Sequence, residues 1–223
     1  MLKQLGFMGI FHVNPAIISI LLFFSVLLVT FLMERMWYFL LYAGWSQDVW
    51  NQLTSAIRSG RLYEARGLCS QGKNIFTQVF HTAISSTHLS RADNEDLVQI
   101  AKENAIERLR RRLGLFSTFS FISPLVGLLG TVTGIMQAFS DLSKSGSGGA
   151  NIVAAGISEA LVTTAAGIMV AVPAAIIYNY FSYRVRGISV RLNNFSNELL
   201  ILLYGGEDKS KEGKGEVHAK VVR

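Results

Sequence analysis

The amino-acid sequence predicts an all-α integral membrane protein with three transmembrane helices and long helices that extend into the cytoplasm. Half of the 223 residues are hydrophobic, and three stretches carry almost no formal charge. A helix rises about 1.5 Å per residue, so each stretch is long enough to cross a hydrocarbon core about 30 Å thick. No stretch shows the alternation of apolar and polar residues that is typical of a half-buried strand.

The first stretch, residues 16–33, is predicted to begin a transmembrane helix over 16–45, after a periplasmic N-terminus over 1–15. Its 18 residues are uncharged and mostly large and apolar. The run is too long for a signal-peptide core, and Glu34 and Arg35 follow it in place of a small-residue cleavage site. The residues expected to form an interfacial aromatic belt come next: Trp37, Tyr38, Tyr42 and Trp45.

The second and third transmembrane helices are predicted over 113–140 and 152–183. Residues 113–140 are 28 residues without a formal charge, and 145–183 are 39 residues in which Glu159 is the only charged one. A carboxylate at membrane depth costs about 2.5–3.5 kcal/mol on insertion scales. Glu159 is therefore expected to face protein or water, and a functional role is its default interpretation.

Both stretches carry a stripe of small residues at helical spacing, with a threonine in each stripe. The first reads Ser117, Ser120, Pro124, Gly127, Thr131, Gly134, Ala138, and the second reads Gly156, Ala160, Thr164, Gly167, Ala171, Ala174. Such a stripe allows close helix packing, for which Gly130 and Gly134 form a small-xxx-small pair. A narrow, hydroxylated stripe can also line a wet path. The residues leave both interpretations open.

Glu159 and Thr163 are four residues apart and are expected to stack on one face of the third helix. At about 100° per residue, Glu159 lies about 140° around the helix from Thr164. The carboxylate and the Thr164 hydroxyl are therefore not expected to face the same space.

The distribution of Lys and Arg predicts the orientation. Residues 46–112 hold ten of them and 184–223 hold eight, whereas only Lys3 lies before the first span and only Lys144 in the 141–151 connection. The positive-inside rule places 46–112 in the cytoplasm as a helical region, 141–151 in the periplasm as a loop, and the C-terminus in the cytoplasm. The net charge of +6 is thus a topological signal, and no nucleic-acid partner is expected.

The cytoplasmic parts are predicted to be helical. Short helices are expected over 46–58, 61–71 and 74–88. Asp93 is the predicted N-cap of a further helix that continues through Arg108–Arg112 into the second span as one rod. Beyond the third span, a cytoplasmic helix over 184–206 has an apolar face formed by Ile188, Leu192, Phe195, Leu199 and Leu203. Gly205 and Gly206 are expected to end it, before a disordered tail over 207–223.

The sequence contains no nucleophile elbow, phosphate-binding loop or zincin motif, and it predicts no enzyme activity, no cofactor and no metal site. His81 and His88 have no companion ligands. Cys69 is the only cysteine, and it is expected to be a small buried hydrophobe rather than a reactive thiol.

Two segments resemble the MotA/TolQ/ExbB proton-channel family. Ile-Ser-Pro at 122–124 and Gly-Leu-Leu-Gly-Thr-Val-Thr-Gly-Ile-Met-Gln-Ala-Phe at 127–139 are similar to the signature of its second span. Gly-Ile-Ser-Glu-Ala-Leu-Val-Thr-Thr-Ala-Ala-Gly at 156–167, with Ala-Val-Pro-Ala at 171–174 and Tyr-Asn at 178–179, is similar to its third span. The three-span topology resembles the TolQ/ExbB branch more than MotA. Thr133 and Ala155 depart from that branch, which usually has tryptophan and often has proline at these positions.

The resemblance implies a homo-pentameric ring in the bacterial inner membrane. The ring would surround an ExbD/TolR-like single-span partner with a transmembrane aspartate, and would use the proton motive force to do mechanical work. TonB-type import, Tol-type envelope maintenance or gliding would receive that work, through a TonB/TolA-like or other envelope protein. Thr131 and Thr164 match the family's pore threonines, and Glu159 matches its third-span glutamate.

On this basis, two sets of residues are expected to carry the function. The predicted proton pathway comprises Thr131, Thr164, Glu159, Thr163, Ser120 and Ser117. The predicted helix-packing residues are Gly127, Gly130, Gly134, Gly156, Ala160, Gly167, Pro124 and Pro173. Two other classes of function are alternatives: a passive membrane scaffold, in which the stripes and Glu159 serve packing alone, and a subunit of a secondary transporter.

Overall fold

The computed structural model describes residues 15–145 and 149–221, with residues 145 and 206–221 described by their backbone alone. These residues form helices and no strand, which confirms the all-α prediction. The helices are α1 Pro15–Tyr42, α2 Gln47–Arg58, α3 Leu62–Gln71, α4 Ile75–Ser85, α5 Arg91–Arg110, α6 Leu113–Ser145 and α7 Gly149–Val221. Residues 1–14 of the predicted periplasmic segment, and 146–148 of the predicted loop, lie outside the described residues.

Three of the helices, α1, α6 and α7, are long and apolar enough to cross a membrane. They contain 28, 33 and 73 residues respectively. Large apolar side chains point outward from all three, among them Phe23 on α1, Phe121 on α6 and Met169 on α7. Outward-facing apolar residues are expected where the surrounding solvent is hydrocarbon.

The chain divides into two compact units. The spanning unit comprises the residues up to Arg35 and those from Arg112 to Ser182; the second unit comprises Met36–Arg111 and the residues from Tyr183 onward. Helices α1 and α7 contribute residues to both units.

The second unit has an aromatic core. Trp45 stacks on Phe195 with ring centroids 4.0 Å apart, and Trp50 lies 5.4 Å from Phe80. Leu192 and Leu199 are fully buried in the same unit, as the apolar spacing of the α7 extension predicted. Trp45, which lies between α1 and α2, contributes to this core, and its place in an interfacial aromatic belt stays a prediction.

A buried polar contact ties α5 to α4 and α7 within the second unit. The Asn94 side-chain amide donates to the Ala83 carbonyl and to the Tyr204 hydroxyl, both at 2.9 Å. Tyr204 in turn donates to the Leu89 carbonyl at 3.3 Å. A buried amide without partners costs free energy, so this set of hydrogen bonds favours one arrangement of the three helices.

The prediction that Asp93 caps α5 is wrong, because Ser90 is the N-cap. The Ser90 hydroxyl oxygen accepts a hydrogen bond from the Asp93 backbone N–H at 3.2 Å, and the hydroxyl donates to the Asp93 carboxylate at 2.6 Å. Asp93 is thus the third residue of the helix, where a carboxylate is favourable beside the free N–H groups.

The predicted single rod through Arg108–Arg112 is also wrong. α5 ends at Arg110, and α6 begins at Leu113. Between them, Arg112 has a φ of 66°, which a right-handed helix cannot contain. The Arg112 guanidinium makes an ion pair with the Glu34 carboxylate of α1, and this contact gives the non-helical residue a fixed partner.

Helix α7 does not end at Gly205 and Gly206, where the sequence predicted its end. Its backbone remains helical to Val221. The side chains of this last stretch lie outside the described residues, and the disordered tail over 207–223 stays a prediction.

Candidate functional site

Helices α6 and α7 pack against each other, antiparallel, through their small residues. A Cβ atom added to Gly134 would lie 2.9 Å from the Cβ of Ala160, and one added to Gly127 would lie 2.7 Å from the Thr163 carbonyl oxygen. Gly156 faces Ala138, and Gly167 faces the Ser123 carbonyl. Side chains larger than hydrogen at the glycines would separate the two backbones, so these glycines determine how closely the helices approach.

Three threonine hydroxyls meet at the middle of this contact. The Thr131 hydroxyl of α6 contacts the Thr164 hydroxyl of α7. The Thr131 hydroxyl oxygen also lies 3.0 Å from the Ala160 carbonyl oxygen, and the Thr164 hydroxyl oxygen lies 3.3 Å from the Gly127 carbonyl oxygen. Because each hydroxyl has one proton, one threonine donates to the other and the second donates to a carbonyl. Both side chains are half-buried. We call Thr131, Thr163 and Thr164 the threonine cluster.

Thr163 differs from its two neighbours because its side chain is 0% exposed. Its hydroxyl donates to the Ala160 carbonyl at 2.7 Å and to the Gly127 carbonyl at 3.1 Å. Gly130 provides the space for it, since a Cβ on Gly130 would lie 2.7 Å from the Thr163 Cβ. Thr163 therefore lies inside the interface between α6 and α7.

Glu159 lies on the exposed surface of α7. No hydrogen bond or ion pair joins it to another residue in the described part of the chain. Glu159 is exposed whereas Thr163, four residues later, is fully buried, so the prediction that these two side chains stack on one face is not confirmed. The angle of about 140° between Glu159 and Thr164 follows from the period of the helix.

Ser117 and Ser120 are on α6 but do not reach the cluster. They precede Thr131 by 14 and 11 residues, which is about 21 and 16 Å along a helix. The Ser120 hydroxyl donates to the Ser117 carbonyl of its own helix at 2.8 Å. Of the six residues predicted for the proton pathway, the structure brings together the three threonines.

The two prolines lie inside the long helices. Pro124 is in α6 and Pro173 is in α7, and each removes one backbone donor from its helix. Pro173 lines an open apolar groove of about 350 Å³ with residues of α1, among them Leu21, Ser25 and Leu28. It therefore faces α1 within the spanning unit.

Two kinds of group at this site were not predicted from the sequence. The first is Ser123, which is fully buried and whose hydroxyl has no hydrogen-bond partner within the described residues. The signal that could have identified Ser123 is its position four residues before Gly127, which places both residues on one face of α6. The second is the pair of backbone carbonyls of Gly127 and Ala160, which accept from the threonine cluster. Acceptors of this kind have no sequence signature, because every residue has a carbonyl.

The ion pairs in the described part of the spanning unit do not involve the threonine cluster. Glu34 makes ion pairs with Arg112 and, at 3.2 Å, with the buried Arg35. In the second unit, burial lowers the pKa of Lys102, whose ammonium donates to Asn193 at 2.9 Å. Burial also raises the pKa of the Cys69 thiol to about 12. Within the residues that the structure covers, no group of three His, Cys, Asp or Glu side chains can hold a metal ion.

Comparisons with known proteins identify relatives of this chain. It is 40% identical over 107 residues to the Tol-Pal system protein TolQ of Haemophilus influenzae, an alignment that covers 48% of this chain and 47% of the relative. It is 31% identical over 157 residues to the biopolymer transport protein ExbB of Pseudomonas putida, covering 66% and 47% respectively. For ExbB of Salmonella typhimurium, the identity is 34% over 143 residues, covering 58% and 57%.

The chain spans about half the length of the curated relatives it matches. A family model described as the MotA/TolQ/ExbB proton channel family matches residues 71–194, which is more than half of the 223 residues. The match includes α5, α6 and the membrane-spanning part of α7, and so it contains the threonine cluster. The chain therefore belongs to the MotA/TolQ/ExbB proton channel family, and the named relatives support the TolQ/ExbB branch.

Proposed function

We propose that this chain is the channel subunit of an inner-membrane motor, which converts the proton motive force into mechanical work for an outer-membrane process. The observation that carries the proposal is the contact between the Thr131 and Thr164 hydroxyls. Helices α6 and α7, which carry these two threonines, are long and apolar enough to cross a membrane. A polar group inside a membrane needs a protein or water partner. The relatives named TolQ and ExbB support the same conclusion.

The partner would be an ExbD/TolR-like protein with a single span and a transmembrane aspartate. A threonine hydroxyl has one donor and two acceptor positions. It can therefore accept from a carboxylic acid, and it can donate to a carboxylate when it gives up its bond to the Ala160 or Gly127 carbonyl. Thr131 and Thr164 are half-buried, which leaves part of each side chain available to a partner. The pair would hydrate and hold the aspartate in both protonation states.

The packing of α6 against α7 favours a carried proton over an open pore. Gly127, Gly134 and Gly167 bring the two backbones so close that an added Cβ would overlap the opposite helix, and no continuous channel can pass between them. A proton that crosses 100 mV releases about 2.3 kcal/mol. This free energy can do work only if protonation changes a bound state. In our proposal, five copies of the chain surround two partner helices, and successive protonation of the two aspartates turns or shifts the partners inside the ring.

Glu159 would act outside the threonine cluster. Its carboxylate is exposed on α7 and has no partner among the described residues. An exposed carboxylate facing lipid at this depth would cost about 2.5–3.5 kcal/mol. We therefore assign Glu159 to the interface between adjacent subunits, where it orders the ring or tunes the path.

The proposed orientation has the N-terminus in the periplasm. The 46–112 region and the C-terminus would then lie in the cytoplasm, on the side where 18 of the 21 Lys and Arg residues fall. A TonB/TolA-like or other envelope protein would receive the work, and inner-membrane lipids would surround the ring.

The direct test is a chain that carries Thr131→Val and Thr164→Val. Valine keeps the shape of threonine but removes the hydroxyl. Proton uptake is measured with a pH-sensitive dye in vesicles that contain the chain and its co-purified partner, and we expect the double variant to lose it. Thr118→Val is the matched control, because the exposed Thr118 hydroxyl bonds only the Gly114 carbonyl of its own helix, at 3.0 Å.

Co-purification in mild detergent tests the partner. We expect a single-span protein with an aspartate in its span. Unchanged proton uptake in the double variant and in Glu159→Ala, with normal amounts of chain in the membrane, would contradict the proposal and favour a passive scaffold. Uptake of a defined solute by liposomes that contain the chain alone would contradict it in favour of a secondary transporter.

A further inference from the structure

Thr163 has the same side chain as Thr131 and Thr164 but a different environment. It is 0% exposed, while the other two threonines are half-buried. A side chain that is fully buried between α6 and α7 cannot touch a partner helix that docks on the outside of these two helices. Its hydroxyl must therefore act on groups inside the interface.

Those groups are the two carbonyls that also accept from the other threonines. Ala160 accepts from Thr163 at 2.7 Å and from Thr131 at 3.0 Å. Gly127 accepts from Thr163 at 3.1 Å and from Thr164 at 3.3 Å. Thr131 also reaches both carbonyls, with Gly127 at 3.4 Å, so Thr163 is distinguished by its full burial. The bond from Thr163 to Gly127 joins α7 to α6, whereas Ala160 lies one turn earlier on α7 itself.

Gly130 is the complement of this side chain. A Cβ atom on Gly130 would lie 2.5 Å from the Thr163 hydroxyl oxygen and 3.1 Å from Ile17 of α1. The space that Gly130 leaves open is therefore filled by Thr163, which brings its hydroxyl within reach of the opposite backbone.

We infer that Thr163 is a positioning residue. Its buried hydroxyl sets the register of α6 against α7, so that the Thr131 and Thr164 hydroxyls meet, and it contacts neither the proton nor the partner. The inference rests on the proposed function, in which Thr131 and Thr164 hold the partner's carboxylate. It replaces the expectation that Thr163 itself lines the proton pathway.

Two substitutions separate a role of the hydroxyl from simple packing. Thr163→Val keeps the volume and removes the hydroxyl, whereas Thr163→Ser keeps the hydroxyl and removes a methyl group. In the dye assay with the co-purified partner, we expect Thr163→Val to lower the rate of proton uptake about threefold to tenfold, the change that corresponds to one net hydrogen bond. Thr163→Ser should recover most of the rate, and Thr118→Val should match the unmodified chain.

The reverse order, with Thr163→Val active and Thr163→Ser impaired, would overturn the inference because it is the order that packing alone predicts. If Thr163→Val fails to accumulate in the membrane while Thr163→Ser accumulates and transports, the hydroxyl is again the required group. If the Thr131→Val and Thr164→Val double variant transports protons normally, both the proposed function and the inference about Thr163 are contradicted. If that double variant is inactive and Thr163→Val equals Thr118→Val, the inference about Thr163 fails alone.

Labelling distinguishes a positioning residue from a pathway residue. In a Cys69→Ala background, Thr163→Cys and Thr164→Cys are each treated, in membranes, with a water-soluble thiol reagent. We expect Thr164→Cys to react at least tenfold faster, because a buried position excludes the reagent. A Thr163→Cys chain that reacts as fast as Thr164→Cys would place position 163 in the water path and overturn the inference.

Discussion

The α6–α7 contact of the spanning unit and the core of the second unit use opposite kinds of residue. Between α6 and α7, the close contacts are made by glycine, alanine and threonine, although large side chains such as Phe116 and Phe119 are buried near the start of α6. In the second unit, large side chains such as Trp50, Phe76 and Phe80 fill the space between helices. The contact between α6 and α7 is therefore packed with small residues, and the core of the second unit with large ones.

The difference reflects the solvent around each kind of contact, which is hydrocarbon for membrane-spanning helices and water for the second unit. In water, burial of large apolar side chains drives helices together. In hydrocarbon, an exposed leucine costs nothing, so association depends on close approach and on hydrogen bonds between helices. Close approach also brings carbonyls within reach of the Thr131 and Thr164 hydroxyls, and the same small residues that pack the helices therefore build the candidate site.

The largest expected effect is a loss of stability when a large side chain is removed from the core of the second unit. Phe80→Ala removes a ring that is 2% exposed and lies 5.4 Å from the ring of Trp50. We expect the free energy of unfolding to fall by about 3–5 kcal/mol, because the loss of buried area adds to the cost of a cavity. Denaturant unfolding in mild detergent, followed by tryptophan fluorescence, measures it.

The matched control for Phe80→Ala is Tyr63→Ala. The Tyr63 side chain is 93% exposed, so its removal should change the free energy of unfolding by less than about 0.5 kcal/mol. Equal losses for the two variants would mean that large side chains do not hold this unit together, and the comparison would fail.

The next largest effect is expected in the spanning unit, where one added methyl group tests the close contact between α6 and α7. Gly127→Ala would place a Cβ 2.7 Å from the Thr163 carbonyl oxygen, and overpacking of this kind costs about 1–3 kcal/mol. Gly114→Ala, on the same helix, meets nothing within 4 Å and should be neutral or stabilising by up to about 1 kcal/mol. Thermal unfolding in mild detergent measures both variants. A midpoint for Gly127→Ala that equals that of Gly114→Ala would contradict the close contact.

The smallest effect concerns a small buried side chain in the second unit. Burial raises the pKa of the Cys69 thiol from 9.0 to about 12, while the unfolded chain keeps the ordinary value. Below pH 9 the thiol is neutral in both states and stability does not depend on it. Above pH 9 the unfolded state loses the proton first, so stability falls by about 1.4 kcal/mol per pH unit until the folded thiol titrates.

We therefore expect the unmodified chain to lose about 1.4 kcal/mol of unfolding free energy between pH 8 and pH 10 relative to Cys69→Ala. Denaturant unfolding at the two pH values measures the difference. A parallel loss in the unmodified chain and in the variant would show that the thiol is not protected by burial.

Much of this architecture was predictable because it depends on composition and period. The apolar runs predicted three helices that are able to cross a membrane, and the spacing of Leu192 and Leu199 predicted the buried face of the α7 extension. Both of these predictions use only the geometry of a single helix. That Thr131 and Thr164 belong to one site was implied by the family resemblance, because the stripes alone left close packing and a wet path both open.

The errors occurred where a neighbouring element changes the outcome. Asp93 and Ser90 are both suitable N-caps, and the local sequence does not say which one ends the preceding turn. Arg112 leaves the helical conformation although its neighbours are good helix formers, and it makes an ion pair with Glu34 of α1. The stacking of Trp45 on Phe195 joins residues that are distant in sequence, and no local pattern predicts it.

The sequence alone determined which segments are apolar enough to cross a membrane, that they are helical, and the angle between Glu159 and Thr164 on their common helix, since these follow from hydrophobicity and a fixed 3.6-residue turn. Only the tertiary structure decided which face of α7 meets α6. That choice buries Thr163, leaves Glu159 exposed, and makes the carbonyls of Gly127 and Ala160 the acceptors of the threonine cluster. Helical period relates positions on one helix to each other, whereas contact between two helices depends on the shapes of both surfaces.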